Sequence, residues 1–217
     1  TRDVLVSDYG VAGEHITVAV PGVARVARAS GSQAGEPLAL LAVGSIVPRK
    51  GYDVLVAALA TLPNLSWHLT IAGAGDRSPD ALAALHAQII EAGLSSRITL
   101  AGAVSDAALG RLYAGADLFI MASHYEGYGM VLTEALAHGL PAVTTTGGAL
   151  GATAPDAACL KLAPGDPLAM AGALSHIIQD GALRQRLGDS AWALAPGLPD
   201  WDDTARIVAG ALKKIYF

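Results

Sequence analysis

The sequence predicts an α/β protein built on a doubly wound, Rossmann-like parallel sheet of about six strands. Short continuous apolar runs, such as 38–44 (LALLAVG) and 117–123 (DLFIMAS), alternate with longer Ala/Leu-rich stretches of helical length. Strands buried on both faces have such runs, and strand–helix alternation is typical of a doubly wound sheet. Glycine or serine also closes four of the first five runs, at the strand ends where such sheets bind ligands.

The predicted elements follow one another without an internal repeat. Strands are expected at 38–44, 67–73, 97–102, 117–123, 141–145 and 158–162. Helices are expected at 52–62, 79–92, 105–114, 130–138, 167–179, 182–194 and about 202–215. Pro63, Gly93 and Gly139 stand where helices should end, and Ser105 is placed to cap one. Before residue 37, the segment 17–22 fits a strand or a connector, and 27–37 has the small, polar composition of a linker.

Length and composition limit the kinds of protein that this chain can be. Its 217 residues suit one domain, or one large domain with an appendage. It opens on Thr1 rather than Met, so we expect a processed or excised piece of a longer protein. A net charge of −5 argues against a nucleic-acid partner, because phosphate backbones require clustered Lys and Arg. No apolar run reaches the roughly 20 residues that span a bilayer.

Cysteine and histidine usage argues against disulfide and metal chemistry. Cys159 is the single cysteine, which fits a reducing compartment and excludes a disulfide framework. The six histidines form no i, i+4 pair and stand apart from grouped carboxylates, so we expect no metal. His124, at a strand end, is expected to have a structural role rather than a catalytic one.

The segment 44–53 (GSIVPRKGYD) follows the first strand and enters a helix. Arg49 and Lys50, beside a helix N-terminus and a glycine, are a good anion site. The segment is not a P-loop, because Lys50 precedes its glycine and no Ser or Thr follows. The alternative is a pair of solvated surface cations on a turn.

Two further strand ends are rich in glycine. The segment 71–76 (IAGAGD) places Gly73 and Gly75 in a tight turn, but Ser78 stands where a dinucleotide fingerprint requires its third glycine. A nicotinamide or flavin cofactor is therefore not expected. In 100–106 (LAGAVSD), exposed backbone groups fit the edge of a flat base, and a plain turn with a capping serine fits equally well.

The segment 124–143 (HYEGYGMVLTEALAHGLPAV) holds two glutamates eight positions apart, Glu126 and Glu134. Its Gly-Tyr-Gly leads into a helix near Met130, whose first amide groups would point back toward the strand ends. Carboxylates accept paired hydrogen bonds from vicinal hydroxyls, so one glutamate suits ribose and the other a pyranose. The alternative is an ordinary charge on the helix surface for Glu134 and a helix-dipole partner for Glu126.

Taken in order from about residue 9 to the end, these segments resemble the C-terminal, donor-binding domain of retaining GT-B glycosyltransferases of the family 4 type. The resemblance rests on YGVAGEHITVAVPGV, VGSIVPRKG, IAGAGD, LAGAV, ADLFIMASHYEGYGMVLTEALAHGLPAV and LAPGDPLAMAGAL. Its most specific part is the E-x7-E element from Glu126 to Glu134, with the Glu-Ala-x-Ala-x-Gly-x-Pro continuation. The fold that it implies is the second half of a GT-B fold.

The resemblance implies a role for each matching residue. Lys50 and Arg49 would neutralise the donor diphosphate, and Glu126 would contact the transferred sugar; these three are the expected catalytic residues. Glu134 would hold the ribose hydroxyls. The remaining donor-binding residues are expected to act mainly through backbone groups, with Ala103 and Val104 beside the base: Gly44, Ser45, Gly73, Gly75, Ala103, Val104, Gly127, Tyr128, Gly129 and Met130.

Two departures from the family pattern lie close to the expected site. Ser45 stands where many members have arginine, which Arg49 would have to replace at the phosphate. The segment 147–150 (GGAL) lacks the acid that many members have after their glycine pair, so it is expected to approach the sugar or phosphate through its backbone.

The resemblance also implies an organisation and partners. Residues 1–36 would be the interdomain connector and a remnant of a first domain, 37–198 the donor-binding domain and 199–217 a C-terminal helix. The expected partners are a nucleotide-sugar donor and a missing N-terminal Rossmann-like acceptor domain, without nucleic acid. The expected location is the cytoplasm, with peripheral contact to the inner face of the membrane through the missing domain.

Two rival functions stay open at this point. One is a nucleotide-sugar epimerase or phosphorylase of the GT-B layout, although a phosphorylase would need a pyridoxal-phosphate lysine for which the sequence has no convincing candidate. The other is a non-catalytic nucleotide-binding or interaction domain, and the presence of Glu126, Glu134 and Lys50 counts against it. The donor half of a glycosyltransferase, inactive when alone, fits these residues best.

Overall fold

Six strands form the centre of the protein, whose structure, a computed structural model, describes residues 2–216. Thr1 and Phe217, at the ends of the expected connector and C-terminal helix, lie outside the described residues. The strands, β1 to β6 in chain order, are Leu38–Val43, Trp67–Ala72, Ile98–Gly102, Leu118–Met121, Ala142–Thr145 and Cys159–Leu162. Each falls within the apolar run that predicted it, shortened by at most two residues at either end.

Nine α-helices are found within the described residues. In chain order, α1 to α9 are Arg2–Ser7, Tyr52–Ala60, Pro79–Glu91, Asp106–Gly115, Met130–Ala137, Leu150–Thr153, Pro167–Gln179, Gly181–Leu194 and Trp201–Tyr216. Short 3-10 turns occupy Gly13–His15, Pro48–Lys50 and Ala195–Gly197. Ser105 caps α4 as expected, because its hydroxyl accepts a hydrogen bond from the amide of Ala108.

The sheet has the order β3-β2-β1-β4-β5-β6, and all its strand pairs are parallel. The predicted fold class is therefore confirmed. Successive side chains of a strand point to opposite faces, so Leu40 packs into one core cluster and Leu41 into the other. The first cluster includes side chains of α2, α3 and α7, the second includes side chains of α4 and α5, and α8 contributes to both.

The chain order reverses between β1 and β4, which are neighbours in the sheet. The loops that follow these two strands therefore meet at the same edge, on either side of a crevice. This arrangement brings the segments 44–51 and 122–129 together, although more than seventy residues separate them in the sequence.

Residues 2–37 contain no strand, so the segment 17–22 is a connector. Residues 20–32 are nevertheless bound to the domain by backbone groups. The amide of Val23 donates to the carbonyl of Pro199 (2.9 Å), and that of Ala29 donates to the carbonyl of His138 (2.8 Å). The helices α1 and α6 have six and four residues and were not predicted, because such short elements carry no helical periodicity.

The last helix, α9, presents four partly exposed apolar side chains, Trp201, Ile207, Val208 and Leu212. Across residues 2–216, none of the helices combines the length and the hydropathy that crossing a membrane requires.

Candidate functional site

The loop between β1 and α2 carries the two predicted cations. It forms a 3-10 turn at Pro48–Lys50 and then passes through Gly51, whose φ is 63°. A β-carbon on Gly51 would lie 2.2 Å from the carbonyl oxygen of Ala122, so only glycine lets the loop approach the end of β4 this closely. The amide of His124 donates to the carbonyl of Arg49 (2.8 Å), which fastens the loop from the other side.

This docking places Lys50 against Glu126. The Lys50 Nζ is 2.6 Å from Glu126 Oε1, and both side chains are about nine-tenths buried. The hydroxyl of Ser123 donates to the same Oε1 (2.8 Å), and Arg49 Nη1 lies 3.3 Å from Oε2. Arg49 is itself half exposed. The site is thus a compact cluster of two cations around one carboxylate, with Arg49 open to solvent.

The pKa of Glu126 reflects two opposing influences. Burial alone would raise this pKa, because it disfavours the charged form. Hydrogen bonds from Lys50 and Ser123 and the charges of Lys50 and Arg49 outweigh burial, so the pKa of the Glu126 carboxyl lies below its ordinary value. Glu126 is therefore an anion at neutral pH.

This lowered pKa predicts how stability depends on pH. The folded protein holds the Glu126 proton less tightly than the unfolded chain, so the stabilisation is present above the ordinary carboxyl pKa and is lost as pH falls through the lowered one. We expect the free energy of unfolding to fall less steeply between about pH 5 and pH 3 in Glu126→Gln than in the wild type. Urea unfolding at a series of pH values measures both slopes, and equal slopes would contradict the assignment.

The end of β2 packs against the end of β1 through two glycines. A β-carbon on Gly73 would lie 1.9 Å from the carbonyl oxygen of Gly44 and 3.0 Å from the amide nitrogen of Ser45. Gly75 faces the side chain of Leu82 instead. The hydroxyl of Tyr52 donates to the Gly44 carbonyl (2.8 Å), so this turn is held from the helix side as well.

The segment before α5 turns the chain toward the strand ends. Gly129 is the N-cap of α5 with a φ of 96°, and its carbonyl accepts from the amides of Leu132 and Thr133. The carbonyl of Tyr128 accepts a hydrogen bond from the hydroxyl of Thr153 (2.9 Å). Gly127 and Met130 are exposed. No side chain of Gly129 can cap the first amides of α5, so these amides stay available to a ligand.

The segment 147–150 extends the sheet edge beside Glu126. Glu126 and Gly148 form an isolated parallel bridge, and the amide of Ala149 donates to the Glu126 carbonyl (2.8 Å). Gly147 and Gly148 allow this approach, because β-carbons there would lie 2.2 Å from the His124 carbonyl oxygen and 2.4 Å from that of Glu126. The backbone of this segment therefore lies directly beside Glu126.

Glu134 has different surroundings from Glu126. Its Oε2 accepts a hydrogen bond from the hydroxyl of Tyr113 on α4 (2.9 Å), and it borders a cavity of about 300 Å³ between α4, α5 and residues 22–26 of the connector. Burial raises the pKa of Glu134, the hydrogen bond from Tyr113 lowers it, and the charge of Asp106 raises it further, with a net rise. Within residues 2–216 the two glutamates share no hydrogen-bond partner.

The segment after β3 leaves Ala103 exposed and Val104 half-buried. A second cavity, of about 540 Å³, borders the β1–α2 loop on the α2–α3 side and includes Arg49 and His124 in its lining. In the described part of the chain, no three His, Cys, Asp or Glu side chains are grouped so as to hold a metal ion.

The structure thus brings Lys50, Arg49 and Glu126 into direct contact and places Glu134 apart from them. Sequence reasoning missed two residues that contact the glutamates. Ser123, which hydrogen-bonds Glu126, ends an apolar run and carries only the general signal of a small residue at a strand end. Tyr113, which hydrogen-bonds Glu134, lies on the apolar face of a helix and cannot be told from an ordinary core aromatic by its spacing.

Comparison with known proteins decides the family. The family profile for glycosyl transferases group 1 matches residues 24–192. The chain belongs to the glycosyl transferases group 1 family. It is 33% identical over 164 residues to a mannosylfructose-phosphate synthase of Agrobacterium fabrum, covering 68% of this chain and 36% of that protein. It is 35% identical over 203 residues to a D-inositol 3-phosphate glycosyltransferase of Nocardia farcinica, covering 89% of this chain and 44% of that protein.

Solved structures support the fold of this group 1 domain. A glycosyltransferase from Rickettsia africae superposes with a TM-score of 0.85 at 20% identity, over 99% of this chain and 61% of that one. Anabaena Alr3699/HepE, solved with UDP and glucose, superposes with a TM-score of 0.75 at 25% identity, over 82% of this chain and 48% of that one. The chain spans about half the length of the curated group 1 relatives that it matches, or less.

Proposed function

We propose that this chain is the donor-binding half of a retaining, family 4 type glycosyltransferase, a hexosyltransferase that moves a sugar from a nucleotide-diphosphate sugar to an acceptor. The observation that carries the proposal is the Lys50–Arg49–Glu126 cluster, which lies in the crevice at the carboxyl ends of the strands, near the N-terminus of α5. The complex of Anabaena Alr3699/HepE with UDP and glucose supports the same class of donor.

In the proposed reaction, the bond between the anomeric carbon and the diphosphate oxygen breaks, which leaves negative charge on the departing nucleoside diphosphate. Lys50, the exposed face of Arg49 and the first amides of α5 are the groups that would stabilise that charge. No metal is part of the proposal, because these groups supply positive charge of their own. The family resemblance implies that the anomeric configuration of the sugar is retained. In that mechanism the acceptor attacks the same face of the sugar that the phosphate leaves, and the leaving phosphate accepts the proton of the acceptor.

The other donor contacts follow from the positions of the glutamates. Glu134 would accept hydrogen bonds from the ribose hydroxyls, since it borders a cavity that also includes Asp106 at the start of α4, and the base would lie against the preceding residues Ala103 and Val104. Glu126 would contact the transferred sugar through Oε2, because Lys50 and Ser123 occupy its Oε1 and the neighbour given for Oε2 is the half-exposed Arg49. The backbone of Gly44, Gly73, Gly129 and Met130 would line the diphosphate.

The proposal extends to the rest of the enzyme. Residues 1–36 would connect to a first Rossmann-like domain that holds the acceptor and contacts the membrane surface, residues 37–198 would bind the donor, and 199–217 would form a closing helix. A cytoplasmic location is proposed on the single cysteine, Cys159, which is buried and free. The chain alone would bind nucleotide and transfer nothing.

Isothermal titration calorimetry with a panel of nucleoside diphosphates tests this proposal directly. We expect at least one of UDP, GDP and ADP to bind, and inorganic pyrophosphate to compete with it at the Lys50–Arg49 cluster. Binding by none of them would contradict the proposed donor class and favour a non-catalytic domain.

The assignment of Glu134 to the ribose gives a separate prediction. Glu134→Ala should weaken the best-binding nucleoside diphosphate about tenfold, because hydrogen bonds to a charged group are lost. Pyrophosphate, which has no ribose, should bind the variant as it binds the wild type. Competition calorimetry measures both affinities, with Glu91→Ala, an exposed glutamate at the end of α3, as the matched control. An equal loss for both ligands would refute the ribose assignment.

A further inference from the structure

Tyr113 lies at the junction of α4 and α5 and has no place in the reaction described so far. Its side chain is 2% exposed, and its hydroxyl lies 2.9 Å from Glu134 Oε2 and 3.2 Å from the carbonyl oxygen of Val131. A phenol has a single proton to donate, and a carboxylate is the stronger of these two acceptors. The hydroxyl therefore donates to Glu134.

Packing of the ring holds this hydroxyl in place independently of its hydrogen bond to Glu134. The ring of Tyr113 stacks on that of His138, with centroids 5.1 Å apart and an angle of 15° between the planes. It also lies beside the ring of Phe119, with the two ring centroids 6.1 Å apart. Because these two neighbours hold the ring, the oxygen presents a fixed donor to α5.

Glu134, by contrast, has little else to hold its carboxylate. It is half-buried on the second turn of α5, and among the side chains of residues 2–213 Tyr113 is the one that hydrogen-bonds it. A glutamate has three rotatable side-chain bonds, so an untethered carboxylate at this cavity would sample several rotamers. The Tyr113 hydroxyl engages Oε2 and leaves Oε1 without a partner from the described residues.

The Tyr113 hydroxyl stays a hydrogen-bond donor across the pH range in which proteins function. Burial, followed by the charge of Glu134, raises the pKa of the Tyr113 hydroxyl well above its ordinary value, so the phenol stays protonated. Its hydrogen bond also opposes the rise that burial causes in the pKa of Glu134, which keeps more of that carboxylate ionised.

We infer that Tyr113 is a positioning residue for nucleotide recognition, whose hydroxyl holds Oε2 of Glu134 so that Oε1 faces the ribose hydroxyl pair. The inference rests on the proposed function, in which Glu134 binds ribose. It adds a residue from a different helix to that subsite, with the rigid ring stack of α4 and α5 as its support. Such preorganisation favours ligands that carry both hydroxyls.

The test compares ribonucleoside diphosphates with their 2′-deoxy counterparts in wild type, Tyr113→Phe, Glu134→Ala and the double variant, by calorimetry. Tyr113→Phe keeps the ring and its stack while removing the hydroxyl. We expect it to weaken the ribonucleotide about tenfold and the 2′-deoxyribonucleotide much less, so that the wild-type preference for ribose is largely lost. Pyrophosphate affinity should stay unchanged.

The double variant separates positioning from a structural effect. If Tyr113 acts only through Glu134, then Tyr113→Phe/Glu134→Ala binds the ribonucleotide no more weakly than Glu134→Ala alone. Tyr52→Phe is the matched control, because it removes another buried tyrosine hydroxyl, the one that donates to the Gly44 carbonyl at the diphosphate end. Its ratio of ribo to deoxyribo affinity should equal that of the wild type.

Each possible outcome bears on a distinct claim. The positioning role is overturned if Tyr113→Phe keeps the wild-type preference for ribonucleotides. It is also overturned if the affinity losses of Tyr113→Phe and Glu134→Ala add in the double variant. Both results leave the proposed function intact. Wild-type binding without any ribose preference overturns the Glu134 assignment and with it the role of Tyr113. Equal weakening of both nucleotides by Tyr113→Phe, with a lowered urea midpoint, overturns positioning in favour of a merely structural tyrosine.

Discussion

Replacing Gly73 by alanine is expected to lower the free energy of unfolding by about 3 kcal/mol and to displace the turn that follows β1. The added β-carbon would lie 1.9 Å from the carbonyl oxygen and 2.4 Å from the carbonyl carbon of Gly44. Both atoms belong to backbone, and the Gly44 amide donates to the carbonyl of Ala72 (2.9 Å), so no side-chain rotation relieves the contact. Nucleotide binding should fall with stability, because Gly44 and Ser45 would move.

Gly172 provides the matched control for this substitution. It lies exposed in the middle of α7, where an added β-carbon meets no atom within 4 Å. Gly172→Ala should therefore stabilise the protein by about 0.5–1 kcal/mol, since alanine is the better helix former. Urea unfolding followed by circular dichroism measures both variants. A Gly73→Ala protein within about 0.5 kcal/mol of the wild type would show that this turn is not tightly constrained.

Replacing Lys50 by methionine is expected to have the largest effect on function. If the chain is half of the proposed glycosyltransferase, this replacement should lower the kcat of the two-domain enzyme about a hundredfold or more, because a buried cation at the proposed leaving group is lost. In this chain it should weaken pyrophosphate and nucleoside diphosphate binding alike, in contrast to Glu134→Ala. The same change leaves Glu126 buried with only Ser123 and the half-exposed Arg49 as partners. We expect a loss of about 2 kcal/mol in the free energy of unfolding.

Two further variants separate the functional from the structural loss. Lys50→Met/Glu126→Gln removes both buried charges and should recover most of the stability while binding stays weak. Arg49→Met should cost less than about 1 kcal/mol of stability, because its guanidinium is half exposed. Calorimetry and urea unfolding give both quantities. Full pyrophosphate affinity in Lys50→Met would exclude this lysine from the anion site.

The fold could be predicted because its determinants are local. The apolar run of β1, the cap of α4 and the glycine that follows α5 are signals carried by neighbouring residues. The apolar runs predicted the ends of the strands to within two residues. The position of Lys50 at the end of β1 followed from the order of the elements. What the sequence could not contain is the pairing of Lys50 with Glu126, since that contact depends on the crossing of chain order between β1 and β4.

The missing parts of the site have a common physical cause. Tyr113 binds Glu134 through a hydroxyl on an otherwise apolar helix face, and periodicity reports only that the face is buried. The connector is bound by backbone amides, which every sequence possesses and which therefore leave no compositional trace. Residues 27–37 therefore look like a linker by composition, although Ala29 and its neighbours are hydrogen-bonded to the domain.

The bonded connector also has a consequence for where the proposed two-domain enzyme would bend. The hydroxyl of Thr204 donates to the carbonyl of Val20 (2.7 Å), and the Arg25 guanidinium donates to the carbonyl of Ala195 (2.9 Å). From residue 20 onward the connector therefore moves with the sheet as one body. In the proposed enzyme, a hinge to a preceding domain would therefore lie upstream of Val20, and domain closure would carry the connector wall of the Glu134 cavity along unchanged.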